Sequence, residues 1–183
     1  MINVKVDAAK ALAGLKLLED ELKVKAVVAG LQKPGRAIRD TMKSLAPTRT
    51  GTLRKSISSR QLSKTAGERL DVFTGTKGRA QITIDPKATA AVLVGPNTKV
   101  KGRSMGYVGV VIEGGAGAHT IKPRGKNKRR FLAMGFNQGA TGEVHHPGVR
   151  ANPFMERSLE VNSSRVEALF FEGLQAHLDK LKR

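Results

Sequence analysis

Apolar residues recur at helical spacing through the first third of the chain. A polar stretch at residues 23–25 interrupts the face and predicts a break between two helices. Beyond it the phase persists across Pro34 and Gly35, so a kink or a one-turn break within one helical arm is predicted there, and not a domain boundary. Asp7 is the candidate N-cap, and Pro47 ends the arm. The apolar face consists of Leu12, Leu15, Leu18, Leu22, Val24, Val27, Val28, Leu31, Ile38, Met42 and Leu45.

The middle of the chain, residues 57–146, changes to the period of two that half-buried strands show. Most of the 20 glycines fall in this part, with Pro and Lys between the β-rich segments. Such spacing favours antiparallel strands joined by turns over crossover helices. The predicted strands lie at residues 70–74, 80–85, 90–95 and 107–112, with a further pair around 119–122 and 130–134.

The last part of the chain returns to helical spacing. Asn152 is the candidate N-cap, and Pro153 suits the first helical position. An apolar stripe then runs from Met155 to Leu181. If unbroken, this helix would be about 43 Å long and would cross the domain or project towards a neighbour. Residues 162–164 are a candidate interruption.

These patterns predict an α+β fold, in which an antiparallel, sandwich-like β-sheet of several short strands packs with long N-terminal and C-terminal helices. The length suits a single domain, residues 1–183. Within it we expect a helical arm over residues 1–46, the sheet over residues 47–151 and a C-terminal helix over residues 152–183. A long basic loop, residues 114–142, is expected to interrupt the sheet.

Composition narrows the function classes. The chain has 33 Lys and Arg against 15 Asp and Glu, a formal charge of +18, so contact with something acidic is expected. Aromatic residues make up only 4%, too few for a protein that stacks single-stranded bases. The absence of cysteine rules out disulfides, thiolate metal sites and a cysteine nucleophile. No apolar run reaches membrane-spanning length and no signal peptide is evident, so a soluble protein made in the cytosol is expected.

Motifs for catalysis are weak. The stretch around Gly125 and Lys126 lacks the first Gly and the Ser or Thr of a phosphate-binding loop. His119, His145 and His146 could converge on a metal, but adjacent histidines are not a usual chelating pair, so His145 and His146 are interpreted as capping or packing a turn. We therefore predict that the protein is not an enzyme and holds no cofactor or metal. The alternative, a hydrolase or metal enzyme, rests on these histidines alone.

One basic segment stands out because no acidic residue lies between Glu113 and Glu143. Clustered like charges repel unless a partner neutralises them, and both phosphates and acidic protein surfaces would do so. The sequence leaves these two partners open. The candidate contact residues for a partner or DNA are Lys122, Arg124, Lys126, Lys128, Arg129 and Arg130.

Three segments, in this order, resemble one family. The first, residues 45–57, is a helix end followed by Thr-Gly-Thr-Leu-Arg-Lys-Ser-Ile; the second, residues 107–114, is interpreted as a strand running into Glu-Gly; the third, residues 145–155, leads into the last helix. Together they resemble the neck, or head–tail joining (tail-completion, minor tail), proteins of tailed bacteriophages. The residues that carry the motifs, expected to determine the fold, are Pro47, Gly51, Leu53, Ser56, Ile57, Glu113, Gly114, His146, Pro147, Gly148, Pro153 and Phe154.

The resemblance implies a structural virion protein, assembled in the bacterial cytoplasm and located at the head–tail junction. It implies a homo-oligomeric ring, with a hexamer favoured and a dodecamer possible, around the channel through which DNA passes. Its neighbours would be the head-closure connector and tail-terminator rings, with non-specific DNA contact in the channel and no membrane. The alternative is a basic protein that binds the phosphate backbone of nucleic acid non-specifically.

Overall fold

The computed structural model describes residues 20–62, 69–73, 79–83, 90–96, 99–100, 103–121 and 144–181. Asp7 and the first three leucines of the predicted arm lie outside these residues. Five helices are present in the described part. They are α1 (Asp20–Leu45), α2 (Thr52–Ser56), α3 (Gly106–Gly114), α4 (Phe154–Ser163) and α5 (Val166–Leu181).

The strands of the described residues pair antiparallel, two by two. The predicted α+β class, with antiparallel strands between long N-terminal and C-terminal helices, is confirmed. β1 (Ser58–Leu62) pairs with β4 (Ala91–Gly95), β2 (Arg69–Phe73) with β3 (Arg79–Thr83), β5 (Lys99–Val100) with β6 (Arg103–Ser104), and β7 (His119–Ile121) with β8 (Val144–His146). The division of the chain into three parts of one domain stays a prediction.

Helix α1 is continuous from Asp20 to Leu45, so the predicted break at residues 23–25 is wrong. Lys is a good helix former, and polarity alone does not end a helix whose neighbours keep the apolar phase. The helix also continues through Pro34, so the single helical arm is confirmed and the alternative of a one-turn break at Pro34 and Gly35 is wrong. Pro34 removes one backbone donor from the helix, and both Pro34 and Gly35 are buried.

Residues 107–112, predicted as a strand, belong to helix α3. Gly109 N–H donates to the carbonyl of Met105 over 2.9 Å, the i to i−4 bond of an α-helix. Short apolar runs rich in Val fit both a buried strand and a buried helix, so periodicity does not separate them. Gly109 also lies against Pro96: a Cβ there would be 2.5 Å from the Pro96 Cγ.

The partner of β7 also differs from the prediction. It is Val144–His146, and the predicted strand at residues 130–134 lies outside the described residues. His145 and His146 therefore belong to a strand, and the expected capping role is confirmed for His146 alone, whose Nδ1 accepts from Gly148 N–H just after the strand. In the ladder His119 is opposite His146.

The C-terminal helical region is interrupted, as predicted, and α4 and α5 are separated at residues 164–165. The start of α4 is shifted by one residue from the prediction, because Pro153 is the N-cap and Phe154 the first helical residue. Asn152 is therefore not the cap. Its N–H donates to the Ile112 carbonyl over 2.8 Å, which ties this entry to α3.

Two buried clusters hold the described elements together. The arm cluster joins α1 to α5 through Ala26, Val27, Phe170 and Leu174. The motif cluster joins the other end of α1 to α2 and α4 through Met42, Ala46, Leu53, Ile57 and Phe154. Both clusters contain residues from one continuous helix, so α1 is the element that they share.

Candidate functional site

The three sequence motifs meet at the motif cluster. Leu53 and Ile57, from the first motif, are 5% and 1% exposed, and Phe154, from the third, is fully buried. Ile112, from the second, packs against the same cluster. Segments distant from one another in the chain thus share one core, which accounts for their occurrence together in one sequence.

The first motif turns at Gly51 into helix α2, which places Leu53 and the following Ile57 on the core. Gly51 has a φ of +67°, in the left-handed region where a side chain is disfavoured, and its carbonyl accepts from Lys55 N–H over 3.0 Å. The hydroxyl of Ser56, fully buried, donates to the Leu53 carbonyl over 2.6 Å. Pro47 is exposed just after α1.

Glu113, at the end of the second motif, caps the helix that the third motif begins. Its carboxylate accepts from Met155 N–H at 2.8 Å and from Glu156 N–H at 2.9 Å. These N–H groups belong to the first turn of α4, where the helix offers unpaired donors and positive dipole charge. Pro153, the local N-cap residue, makes no side-chain cap bond. The second motif includes Glu113, but the sequence does not indicate its role as a cap, because Met155 lies 42 residues further along the chain.

A two-way backbone bridge fixes the same junction from the other side. Ala116 and Val149 exchange N–H to carbonyl hydrogen bonds, both 2.8 Å long. Gly115 and Gly148 flank the bridge with φ of +72° and +93°. A Cβ on Gly148 would collide with the Ala116 carbonyl oxygen and lie 2.9 Å from the Gly117 carbonyl carbon. Only glycine fits at position 148, because the two backbone segments cross too closely there for a side chain.

The histidines support this bridge. His146 Nδ1 accepts from Gly148 N–H over 3.0 Å, and the His146 ring stacks on that of His119 with 5.0 Å between centroids. His145 Nδ1 is 3.1 Å from the Thr120 hydroxyl. Among the residues that the structure describes, no group of three His, Asp or Glu side chains could hold a metal ion.

The remaining motif residues lie around the junction. Gly114 and Pro147 are exposed, and Pro153 is half-buried beside Phe154. The six basic residues of the loop lie outside the described residues. They are Lys122, Arg124, Lys126, Lys128, Arg129 and Arg130.

A buried polar contact that the sequence did not predict holds α4 on α1. Asn162 is 2% exposed, and its amide donates to the Thr41 hydroxyl over 3.0 Å and to the Ser158 carbonyl over 2.7 Å. Phe154, Ser158 and Asn162 recur every four residues on the buried face of α4. This four-residue spacing could have indicated the buried face of α4, but the polar side chains at residues 162–164 led to the prediction of an interruption in the helix.

Two exposed ion pairs flank this core. The Arg39 guanidinium donates to the Asp40 carboxylate at 2.8 and 3.0 Å and lowers the pKa of that carboxyl. Lys33 of α1 donates to Glu172 of α5, and this hydrogen bond lowers the pKa of the Glu172 carboxyl. The second pair joins the two helices of the arm cluster.

The first two motifs lie in a part of the chain that matches a known protein family. Residues 9–114 match the model of a family described as "Bacteriophage HK97-gp10, putative tail-component". The chain belongs to the HK97-gp10-like family. The match includes the first two motifs and more than half of the chain, and it confirms the resemblance to tailed-phage proteins. The third motif lies beyond the matched residues.

As an HK97-gp10-like protein, the chain is a structural protein similar to components of phage tails. This implies a location in the virion and contacts with other virion proteins. Comparison with curated proteins and with solved structures gave no significant match. None of the helices in the described ranges is long and apolar enough to span a membrane.

Proposed function

We propose that this HK97-gp10-like protein is a neck protein, which forms a ring joining the head connector to the tail around the DNA channel. The observation that carries the proposal is the family match together with the convergence of all three neck-protein motifs on one buried cluster. The motifs then stabilise the fold of the subunit, and the ring forms through the surfaces that remain exposed.

Helix α3 supports an assembled state. Seven of its nine positions are Gly, Val or Ile, and Glu113, its one charged side chain, is used inside the subunit as a cap. Tyr107 is nevertheless 43% exposed, and Gly109 is the only residue of the helix that is buried. A helix that is apolar on all sides is normally buried against other protein elements. The partial exposure of α3 in the single subunit therefore favours association with another protein.

The ring is proposed as a hexamer, with a dodecamer as the alternative, between a head-closure connector ring and a tail-terminator ring. A closed ring needs two different surfaces on each subunit, because each copy must contact one neighbour on either side. Cations facing the channel would meet DNA through its phosphates without reading sequence.

Two measurements test the proposal. Electron microscopy of the assembled virion should show the protein as a ring at the head–tail junction, and light scattering should give the mass of a multimer. If the isolated chain is monomeric, the ring should form when the connector is added. Absence from the neck of the virion would refute the proposal.

A further inference from the structure

Two histidine rings are stacked across the strand pair β7–β8. His119 and His146 are opposite each other in the ladder, and their ring centroids are 5.0 Å apart with 28° between the ring planes. His119 is exposed and His146 is half-buried. The next pair along the same two segments is the bridge of Ala116 and Val149, and Gly148 lies between. The stacked rings therefore adjoin the point where the two backbone segments cross.

The two rings use their Nδ1 atoms in opposite ways. His119 Nδ1 is 3.0 Å from the Gly117 carbonyl oxygen, which can only accept, so this nitrogen carries a proton. His146 Nδ1 accepts from the backbone N–H of Gly148 over 3.0 Å, so this nitrogen carries none. A second proton on His119 would bind at Nε2 and leave the hydrogen bond of that ring intact. On His146 it would bind at Nδ1 and exclude the hydrogen bond from Gly148.

No carboxylate of the described residues bonds to the stacked pair. Among those residues neither ring forms a salt bridge, and both oxygens of the Glu113 carboxylate accept from N–H groups of α4. His145 belongs to the opposite face of β8, where its Nδ1 contacts the Thr120 hydroxyl. The other charged residues next to these segments in the sequence are Lys122, Glu143 and Arg150. His146 therefore faces the titratable ring of His119, and two protonated rings would repel each other.

We propose that His146 is a pH-sensitive latch on the chain crossing, closed while its ring is neutral and released when a proton occupies Nδ1. Histidine is the side chain that ordinarily changes charge between pH 5 and 8. Release removes the hydrogen bond that orders Gly148, and repulsion between the two rings then weakens the strand pair. The same segment leads on to α4 through Asn152, whose N–H donates to the Ile112 carbonyl. The latch belongs to the single subunit and does not depend on ring formation.

Hydrogen–deuterium exchange of the full-length protein tests the latch, with each rate divided by the intrinsic rate at that pH. In wild type, the peptide covering residues 144–149 should exchange roughly tenfold faster at about pH 5 than at about pH 8, the effect of one lost hydrogen bond. Peptides from the arm cluster should keep their rates, which identifies a local opening. A corrected rate that is the same at both pH values in the peptide of residues 144–149 would overturn the proposal.

Two substitutions of His146 separate the proton from the hydrogen bond. In H146N the side-chain Oδ1 is as many bonds from the backbone as Nδ1 is, so it can accept from Gly148 N–H but does not titrate. This variant should keep the slow exchange at both pH values. H146A has no acceptor and should exchange fast at both. A pH response in H146N equal to that of wild type would refute the latch.

The matched control is H145N, at the neighbouring residue of the same strand. His145 contacts a hydroxyl, which can donate or accept, so this contact survives protonation of the ring. H145N should therefore keep the wild-type pH response. Loss of the response in H145N as well as in H146N would assign it to the strand pair in general and would overturn the specific role of His146.

Discussion

Glu113 links two helices that local sequence does not connect. Its carboxylate accepts from the first two free N–H groups of α4, a role usually taken by a residue adjacent to the helix. Because capping by a carboxylate also acts on the helix dipole, removing it should cost more than removing an exposed charge.

We expect Glu113→Ala to lower the free energy of unfolding by about 1 to 2 kcal/mol, the range measured for loss of an N-cap. Glu113→Gln should lose less, since its amide oxygen still accepts one bond. Glu160→Ala, an exposed glutamate with no role in the cap, should change stability by less than about 0.5 kcal/mol. Urea unfolding of the monomer measures all three, and equal effects of Glu113→Ala and Glu160→Ala would contradict the capping role.

Gly148 is set by the crossing of two chain segments. Its φ of +93° disfavours any side chain, and a Cβ would meet backbone atoms of residues 116–118, which have no freedom to move aside. Gly148→Ala should therefore destabilise the fold by about 3 kcal/mol or more. The matched control is Gly117→Ala, at a glycine with open space around its Cα, which should be nearly neutral. Thermal unfolding monitored by circular dichroism compares the two, and a tolerated Gly148→Ala would show that the crossing is loose.

At the level of elements, the crossing of α1 and α5 depends on two glycines. A Cβ on Gly30 would lie 2.7 Å from Cε2 of Phe170, whose side chain is 1% exposed. Alanine would gain about 1 kcal/mol of helix propensity, but the buried ring has no space to move into. We expect the steric term to win, so that Gly30→Ala lowers the unfolding free energy by about 1 to 2 kcal/mol.

The control for this crossing is Gly114→Ala. Gly114 belongs to the second motif and was expected to determine the fold, but it ends α3 with nothing within 4 Å of the position of its Cβ, so alanine should be tolerated there. Urea unfolding compares the two variants. A stabilised Gly30→Ala protein would mean that the two helices separate easily, and that the arm cluster does not fix their distance.

The ion pair between Lys33 and Glu172 makes the same helix pair sensitive to acid. Lys33 lowers the pKa of Glu172 below its ordinary value of 4.5 in the folded protein. The carboxylate then binds protons less readily when folded than when unfolded, so its contribution is complete above pH 4.5 and is lost as the pH falls through the lowered pKa. We expect Glu172→Gln to be less stable than wild type at about pH 7, with the difference closing in acid, as urea unfolding at several pH values would measure. A difference independent of pH would show that the pair contributes nothing electrostatic.

Element by element, the sequence was informative where the period of its apolar positions was clear. The 26 residues of α1 kept their phase through Pro34, and the strands at residues 70–74, 80–85 and 90–95 have counterparts in β2, β3 and β4. The prediction for the nine residues of α3 was wrong, because a short apolar run rich in valine has no period that distinguishes helix from strand.

The sequence predicted which residues form the candidate site, but not which of them contact one another. Leu53, Ile57 and Phe154 could be chosen as fold determinants from their motifs, and the structure places them in one cluster. The cap from Glu113 and the contact between Asn162 and Thr41 join residues 42 and 121 positions apart. Such pairs depend on tertiary packing, on which local propensity carries no information.

For the whole molecule, the formal charge of +18 is the property that most constrains its surroundings. A ring around DNA would hold such charge near phosphates, whereas a ring stacked between acidic neighbours would bury it in protein contacts. The two arrangements differ in their response to salt. Binding to phosphates releases counterions, so affinity for DNA should fall steeply as salt rises.

Replacing Lys126, Lys128, Arg129 and Arg130 with Ala tests where the charge acts. If the loop binds DNA, the slope of log affinity against log salt should shrink by about 0.9 for each phosphate that the variant no longer neutralises. A matched variant removes four exposed cations from the first motif and β1, namely Arg49, Arg54, Lys55 and Arg60. Both variants lose the same charge, so a change of slope confined to the loop variant is attributable to the loop. Unchanged DNA binding with failed joining of heads to tails would instead assign the loop to a neighbouring ring, because the same charges would then be neutralised by protein carboxylates.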